Sequence, residues 1–267
     1  MDLHLNLRAL DEKRCSEYLN TIEDSMAKEF ATIFLSKVRY VGHDEFISSL
    51  KKSFHIFEEH IKNTPYLALV IDFKFGSDWW CTLMMQKKNF DIVTKLNGTT
   101  DPQNIIVVDD CSYSGNNIFG LLDESLHAIK NVPNLNYIFH IICPYISAAA
   151  KENIDGINHI YPLVKILYYP HNAEFIQSAL TPVLYPNFFE PEKNSGELFI
   201  RPNILKALNM KHGEISALIP IYFDHKIASN TSTAGSVLDH VVYPLPTRVL
   251  IEECERNYLH ENKLHEK

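Results

Sequence analysis

Residues 103–117 read QNIIVVDDCSYSGNN. Four consecutive aliphatics, Ile105 to Val108, run into two adjacent carboxylates, Asp109 and Asp110, and a loop of Ser, Tyr, Gly and Asn follows at once. A short, continuous apolar run fits a strand buried on both faces, as in a parallel sheet. Ending such a strand in two acids costs stability unless something pairs or solvates them. The next stretch, NNIFGLLDESLHAIKN, carries an apolar stripe of Ile118, Leu121, Leu122, Leu126 and Ile129 and predicts a helix. Buried strand, polar loop and amphipathic helix in succession predict a βαβ unit.

The pattern extends in both directions. Upstream, helix-like spacing covers 16–36 and 43–63, with Phe46, Leu50, Phe54, Phe57 and Ile61 recurring at three and four residues. PYLALVIDF reads as a buried strand, KFGSD breaks it, WWCTLMMQKK reads as a helix, and FDIVTKL as a further strand before the loop NGTTDPQN. Downstream, NYIFHIICP predicts a strand, ISAAAKE a helix, INHIYPLVKILYY a strand and ALIPIYFD a last one. Strands alternating with helices predict an α/β fold with a mostly parallel sheet flanked by helices. Residues 1–40 read as an N-terminal helical extension. The Pro-rich, irregular 181–213 opens a C-terminal hood or lobe, spanning 181–267 and packed on the core.

Composition narrows the classes of function. The 267 residues are 46% hydrophobic and 22% charged, values of an ordinary globular protein. A net charge of -8 argues against sequence-independent nucleic-acid binding, which needs a Lys/Arg surplus, and against attraction to an anionic membrane. The longest apolar runs are strand-sized, so no membrane span is expected, and the opening MDLHLNLRALDEKRC has no apolar core of a secretory signal. Five dispersed cysteines without CxxC spacing read as reduced thiols in a cytoplasmic setting.

In an open parallel sheet, ligands sit outside the carboxyl ends of the strands. Asp109 and Asp110 stand at such an end. The loop after them offers hydroxyls, a glycine and a helix start, whose backbone amides form an anion cradle. Together these fit a sugar phosphate, with hydroxyls on the carboxylates and phosphate in the loop. A Walker B strand would need a Gly-x-x-x-x-Gly-Lys-Ser/Thr loop upstream, and there is none. A response-regulator pocket would carry its acid pair on the first strand and a phosphoacceptor Asp at the end of a later one. Asp155 in KENIDGIN follows no apolar strand.

IIVVDDCSYSGNN resembles the phosphoribosyl-pyrophosphate-binding signature of the type I phosphoribosyltransferases: four hydrophobic residues, two acids, then a phosphate loop that usually ends Thr-Gly-x-Thr. The resemblance covers roughly residues 40–170 and implies a phosphoribosyltransferase core over 41–180. It implies that Asp109 and Asp110 hold the ribose hydroxyls and, through water, Mg²⁺. Ser112, Tyr113, Ser114, Gly115, Asn116 and Asn117 would wrap the 5'-phosphate. Ser114 replaces the usual Thr, Gly115 is kept, and Asn117 stands where a hydroxyl is usual. The family's pyrophosphate loop corresponds to Lys74, Phe75, Gly76 and Ser77 in DFKFGSDWW, with Lys74 as its cation. The family's mobile catalytic loop has no counterpart longer than NGTTDPQN, so a lid would come from elsewhere, such as 181–213.

The resemblance implies a glycosyltransferase that releases pyrophosphate from phosphoribosyl pyrophosphate and joins the phosphoribosyl group to a nitrogenous base. Asp109, Asp110 and Lys74 would carry the chemistry. The alternative is a catalytically degenerate nucleotide-binding or regulatory module on the same fold. Expected partners are phosphoribosyl pyrophosphate or a nucleotide and neither membrane nor nucleic acid, with a homodimer as the open quaternary option. Asp224, His225 and Lys226 end the apolar run IPIYF and read either as a substrate-facing strand end or as a solvated one. Trp79 and Trp80 read as core or half-buried rather than ring-stacking, and the thirteen His show no metal-ligand spacing.

Overall fold

A computed structural model describes residues 10, 12–62, 64–70, 81–82, 84–85, 91–98, 103–132, 136–172, 174–191, 198–210, 218–223, 237–238 and 240–241. Along the chain come α1 (Glu12–Thr21), α2 (Ser25–Lys37), β1 (Arg39–Val41), α3 (His43–Ile61), β2 (Tyr66–Leu69), β3 (Asp91–Val93) and β4 (Gln103–Val108). Then follow β5 (Cys111–Ser112), α4 (Asn116–Ala128), β6 (Tyr137–Ile142), β7 (Tyr145–Ile146), α5 (Ala148–Asp155), α6 (Ile157–Ile160) and β8 (Lys165–Tyr168). The last elements are β9 (Phe189–Pro191), β10 (Leu198–Ile200), α7 (Pro202–Ala207) and β11 (Ile221–Phe223). The described residues fall into two compact units, one within 10–45 and 177–241, the other within 46–176.

The second unit is an α/β layer structure. Its five-stranded sheet has the order β3-β2-β4-β6-β8, and every neighbouring pair is parallel. The central pairing runs in register from Gln103↔Tyr137 to Val108↔Ile142. Counted along the chain this is the doubly wound order 2-1-3-4-5, in which the direction of winding reverses between β2 and β4. On one face Ile105, Val107, Phe139 and Ile141 pack with the buried stripe Ile118, Leu121, Leu122 and Leu126 of α4, together with Ala150 and Ile154 of α5. On the other face α3, from Phe46 on, lays Phe57 edge-on against Tyr66, His140 and Tyr169, with centroid distances of 5.0–5.5 Å. Burial on both faces is why these strands are apolar throughout instead of alternating.

His140 is the polar exception in this core. It is buried on β6, and its ring nitrogens are satisfied by the Tyr169 hydroxyl at 2.8 Å and by Asn104 Oδ1 at 3.0 Å. The amide oxygen can only accept, so Nε2 carries the proton and Nδ1 accepts from Tyr169. Burial, with His60 and Lys165 adding repulsion, lowers the His140 pKa to about 4.

In the first unit, Asp24 caps α2 by accepting from the Ala27 amide at 2.8 Å, and Phe30 of α2 meets Phe188 edge-on at 5.5 Å. β1 pairs with β11 in parallel, and β9 with β10 antiparallel. The helix expected over 16–36 is therefore two helices, divided where Asp24 offers a better cap than a continued turn. The strand expected over INHIYPLVKILYY is confined to 165–168. Residues 157–160 are helical, and Pro162 separates the two by disfavouring helix at the residue before it. Residues 181–213, expected as a hood, supply the β9–β10 hairpin and α7. Among the described residues no helix is long and apolar enough to cross a membrane.

The His140 arrangement makes stability pH-dependent. The unfolded chain takes up this proton near the ordinary pKa of 6.5, whereas the folded protein resists it down to about 4. The contribution is present above pH 6.5 and lost as pH falls toward 4, amounting to roughly 3 kcal/mol. Urea denaturation of wild type and His140→Gln at pH 7 and pH 4 should show a smaller acid loss in the variant. Equal losses would remove His140 as a cause.

Candidate functional site

The acid pair lies where β4 ends. Val108 is the last paired residue of the strand, and the Asp109 amide donates to the Ile142 carbonyl at 3.1 Å. The chain then turns. Asp109 Oδ1 accepts from the Asp110 amide at 2.9 Å, and Asp110 Oδ1 from the Cys111 amide at 2.6 Å. Both carboxylates are buried, Asp109 being 6% and Asp110 1% exposed. The cost of bringing two acids into a strand end is thus met in part by backbone amides that the turn frees from the ladder.

Cys111 and Ser112 re-enter a short parallel pairing with Tyr145 and Ile146, and the Ser147 amide donates to the Ser112 carbonyl at 3.0 Å. The Tyr113 hydroxyl lies inward, near Cys111, Asp110 and Cys143. Burial first, then Cys111 and Asp110, pushes its pKa well above the usual phenol range, so it stays protonated. Ser114 is half-buried, while Asn116 and Asn117 are exposed.

Gly115 opens α4 in the left-handed region, at φ 79°. A Cβ there would stand 2.6 Å from the Ala150 carbonyl oxygen and 3.0 Å from its Cα. The glycine is required twice, by its dihedral and by the approach of α5. No side chain caps α4. Helix α5 does the holding instead: Ser147 Oγ donates to the Tyr113 carbonyl, and Asn153 Nδ2 donates to the Ser114 carbonyl at 2.9 Å and to Asn116 Oδ1 at 2.8 Å.

The sequence pattern alone does not mark these α5 residues as part of a site. Ser147 before three alanines is a legible cap signal, and its hydroxyl does accept from the Ala150 amide. The small alanines are what let Gly115 approach. Nothing in the sequence marks Asn153, which reaches across 39 residues of chain.

Six of the expected phosphate-loop residues, 112–117, and the two acids therefore lie together at the carboxyl end of β4. Lys74, Phe75, Gly76 and Ser77 lie outside the described residues, as do Asp224, His225 and Lys226. Residue 74 nevertheless follows Val70, which continues β2 by donating to the Val93 carbonyl. The two expected loops thus follow the two strands between which the winding reverses, the usual place for ligands in such sheets. Among the described residues no group of three or more His, Cys, Asp or Glu is placed to hold a metal ion. No family model, no curated protein and no solved structure matches the chain.

Replacing Gly115 by Ala should cost roughly 2 kcal/mol, from the left-handed dihedral and the contact with α5. A fall in the urea midpoint of Gly115→Ala, with no comparable fall for the exposed Gly120→Ala in the same helix, checks this.

Proposed function

We propose that the chain binds phosphoribosyl pyrophosphate, or a related ribose 5-phosphate or nucleotide, outside the carboxyl ends of β2 and β4, and transfers the phosphoribosyl group to a nitrogenous base. The observation that carries the reading is topological. Two motifs picked from sequence, 74–77 and 109–117, follow the two strands that flank the reversal of winding. That position supports the type I phosphoribosyltransferase resemblance as a fold assignment as well.

In this reading the 112–117 loop holds the 5'-phosphate through amides, and Asp109, the more exposed of the pair, faces the ribose hydroxyls. Asp110, further in, fixes the turn through the Cys111 amide. Lys74 and the amides of 74–77 would take the pyrophosphate. The carboxylates favour positive charge on the sugar as the bond to pyrophosphate breaks, as in glycoside chemistry. An oxygen-only pair of carboxylates suits Mg²⁺, which keeps its waters and needs few protein ligands. The residues that would hold it through water are Asp109 and Asp110, and bound there it would neutralise charge on the pyrophosphate. Cys15, Cys81, Cys111 and Cys143, present as thiols, fit a reducing cytoplasmic setting.

One observation favours the second reading, a binding or regulatory module without turnover. The connection from Val93 to Gln103 is short, and its described residues, 94–98, contain no helix or strand from which a lid could be built.

Calorimetry with phosphoribosyl pyrophosphate and Mg²⁺ tests the site. Wild type should bind, and Asp109→Asn/Asp110→Asn should lose most of the affinity while keeping its circular dichroism. Unaltered binding in the double variant, or none in wild type, would remove the proposal. Pyrophosphate release across a panel of bases then separates transferase from module.

A further inference from the structure

We propose that β8 is a dimerisation edge. Two copies of the chain join by antiparallel pairing of their β8 strands about a two-fold axis at Leu167, which makes their two sheets continuous. The pairing rests on strand hydrogen bonding and is independent of any ligand at the acid pair.

β8 is the outer strand of the sheet and is hydrogen-bonded to β6 alone. Along a strand, the N–H and C=O of one residue point to the same side, and those of the next residue point to the other. The Tyr169 amide donates to the Ile141 carbonyl at 2.9 Å, so residues 165, 167 and 169 turn their backbone groups to β6. Ile166 and Tyr168 turn theirs outward. Among the described residues these N–H and C=O groups have no backbone partner. Such an edge is a template for another strand.

The two ends of the edge decide which strand fits. The Val164 amide is spent on the Tyr161 carbonyl at 3.1 Å, and Pro170 has no N–H. A second copy aligned with Ile166 opposite Ile166 would set Tyr168 against Val164. Alignment on Tyr168 would set Ile166 against Pro170. Either way a donor is missing. Alignment of Leu167 with Leu167 sets Ile166 against Tyr168 on both sides of the axis, and opposed residues of this kind exchange both hydrogen bonds. Every outward group of both edges is then used. β8 is thus the complement of its own edge in length, polarity and register.

The side chains agree with that register. Ile166 and Tyr168 pack against the core cluster that includes α4 and α5, so across the axis they form an aromatic and β-branched pair. Leu167, on the other face, meets its own copy. Lys165, the strand's single charge, stands opposite Tyr169, so like charges are not opposed. Ile160 and Leu163, which lead into β8, are 53% and 64% exposed. They are the exposed large apolar side chains among the described residues of this unit, and covering them adds to the hydrogen bonds.

Amide hydrogen exchange of wild type across a dilution of about a hundredfold reads the edge residue by residue, with light scattering for the mass. The Ile166 and Tyr168 amides should exchange about tenfold or more slowly in the concentrated dimer than in the diluted monomer, while Leu167 and Tyr169 stay protected in both. A charge swap tests the axis. Leu167→Lys and Leu167→Glu place like charges opposite one another, so each alone should be monomeric. Mixed together they should form a dimer, with circular dichroism showing that both are folded. Free exchange at 166 and 168 at every concentration would overturn the proposal. Protection there that ignores concentration would overturn it too, because the edge would then be covered within one chain. A dimer that leaves both amides open, or folded variants that do not associate when mixed, would exclude the Leu167 axis. If the variants do not fold, the wild-type exchange still decides.

Discussion

The site depends on a backbone approach: Gly115 lies so close to Ala150 that a single methyl group would meet the Ala150 carbonyl at 2.6 Å. That contact fixes the distance between the loop after β4 and helix α5. Only at that distance can Ser147 and Asn153 reach the carbonyls of Tyr113 and Ser114. The left-handed dihedral of Gly115 then starts α4, whose buried stripe covers the sheet. Loop shape, helix packing and strand cover thus share one constraint, and it is steric. A left-handed residue with a side chain costs about 1–2 kcal/mol on its own, before any clash.

The acid pair adds an electrostatic constraint. Two buried, adjacent carboxylates at the end of an apolar strand are unfavourable in isolation. Each is offset by the next amide in the turn, so the same hydrogen bonds that lower the cost also set the path of the loop. The chain carries this feature where winding reverses, and in the sequence Lys-Phe-Gly-Ser comes four residues after Val70, which continues the other strand at that reversal. A cost retained at a ligand-prone position is more readily understood as function than as packing.

Much of the architecture was legible because the core strands are buried on both faces and read as uninterrupted aliphatic runs. IIVV and YIFHII announce β4 and β6, and the stripe from Ile118 to Leu126 announces α4. Strand order was not legible, since nothing local tells β3 to lie outside β2 with β4 on its other side. The misread of 157–160 has a local cause: a short apolar run suits strand or helix equally, and only Pro162 decides. At the site, the acids and Gly115 were legible by type. Burial of the acids was not, because it depends on the β4–β6 register and the β5–β7 pairing that follows. Asn153 was invisible, being one polar residue on a helix whose role arises from a contact distant in sequence.

The central claim is that the loops after β2 and β4 form one ligand site. Backbone amide shifts recorded while phosphoribosyl pyrophosphate and Mg²⁺ are titrated into isotope-labelled protein test it most directly. The account predicts saturable changes concentrated at residues 74–77 and 109–117, moving together with one affinity. Saturable changes elsewhere that leave both segments unmoved, or no changes at all, would contradict it.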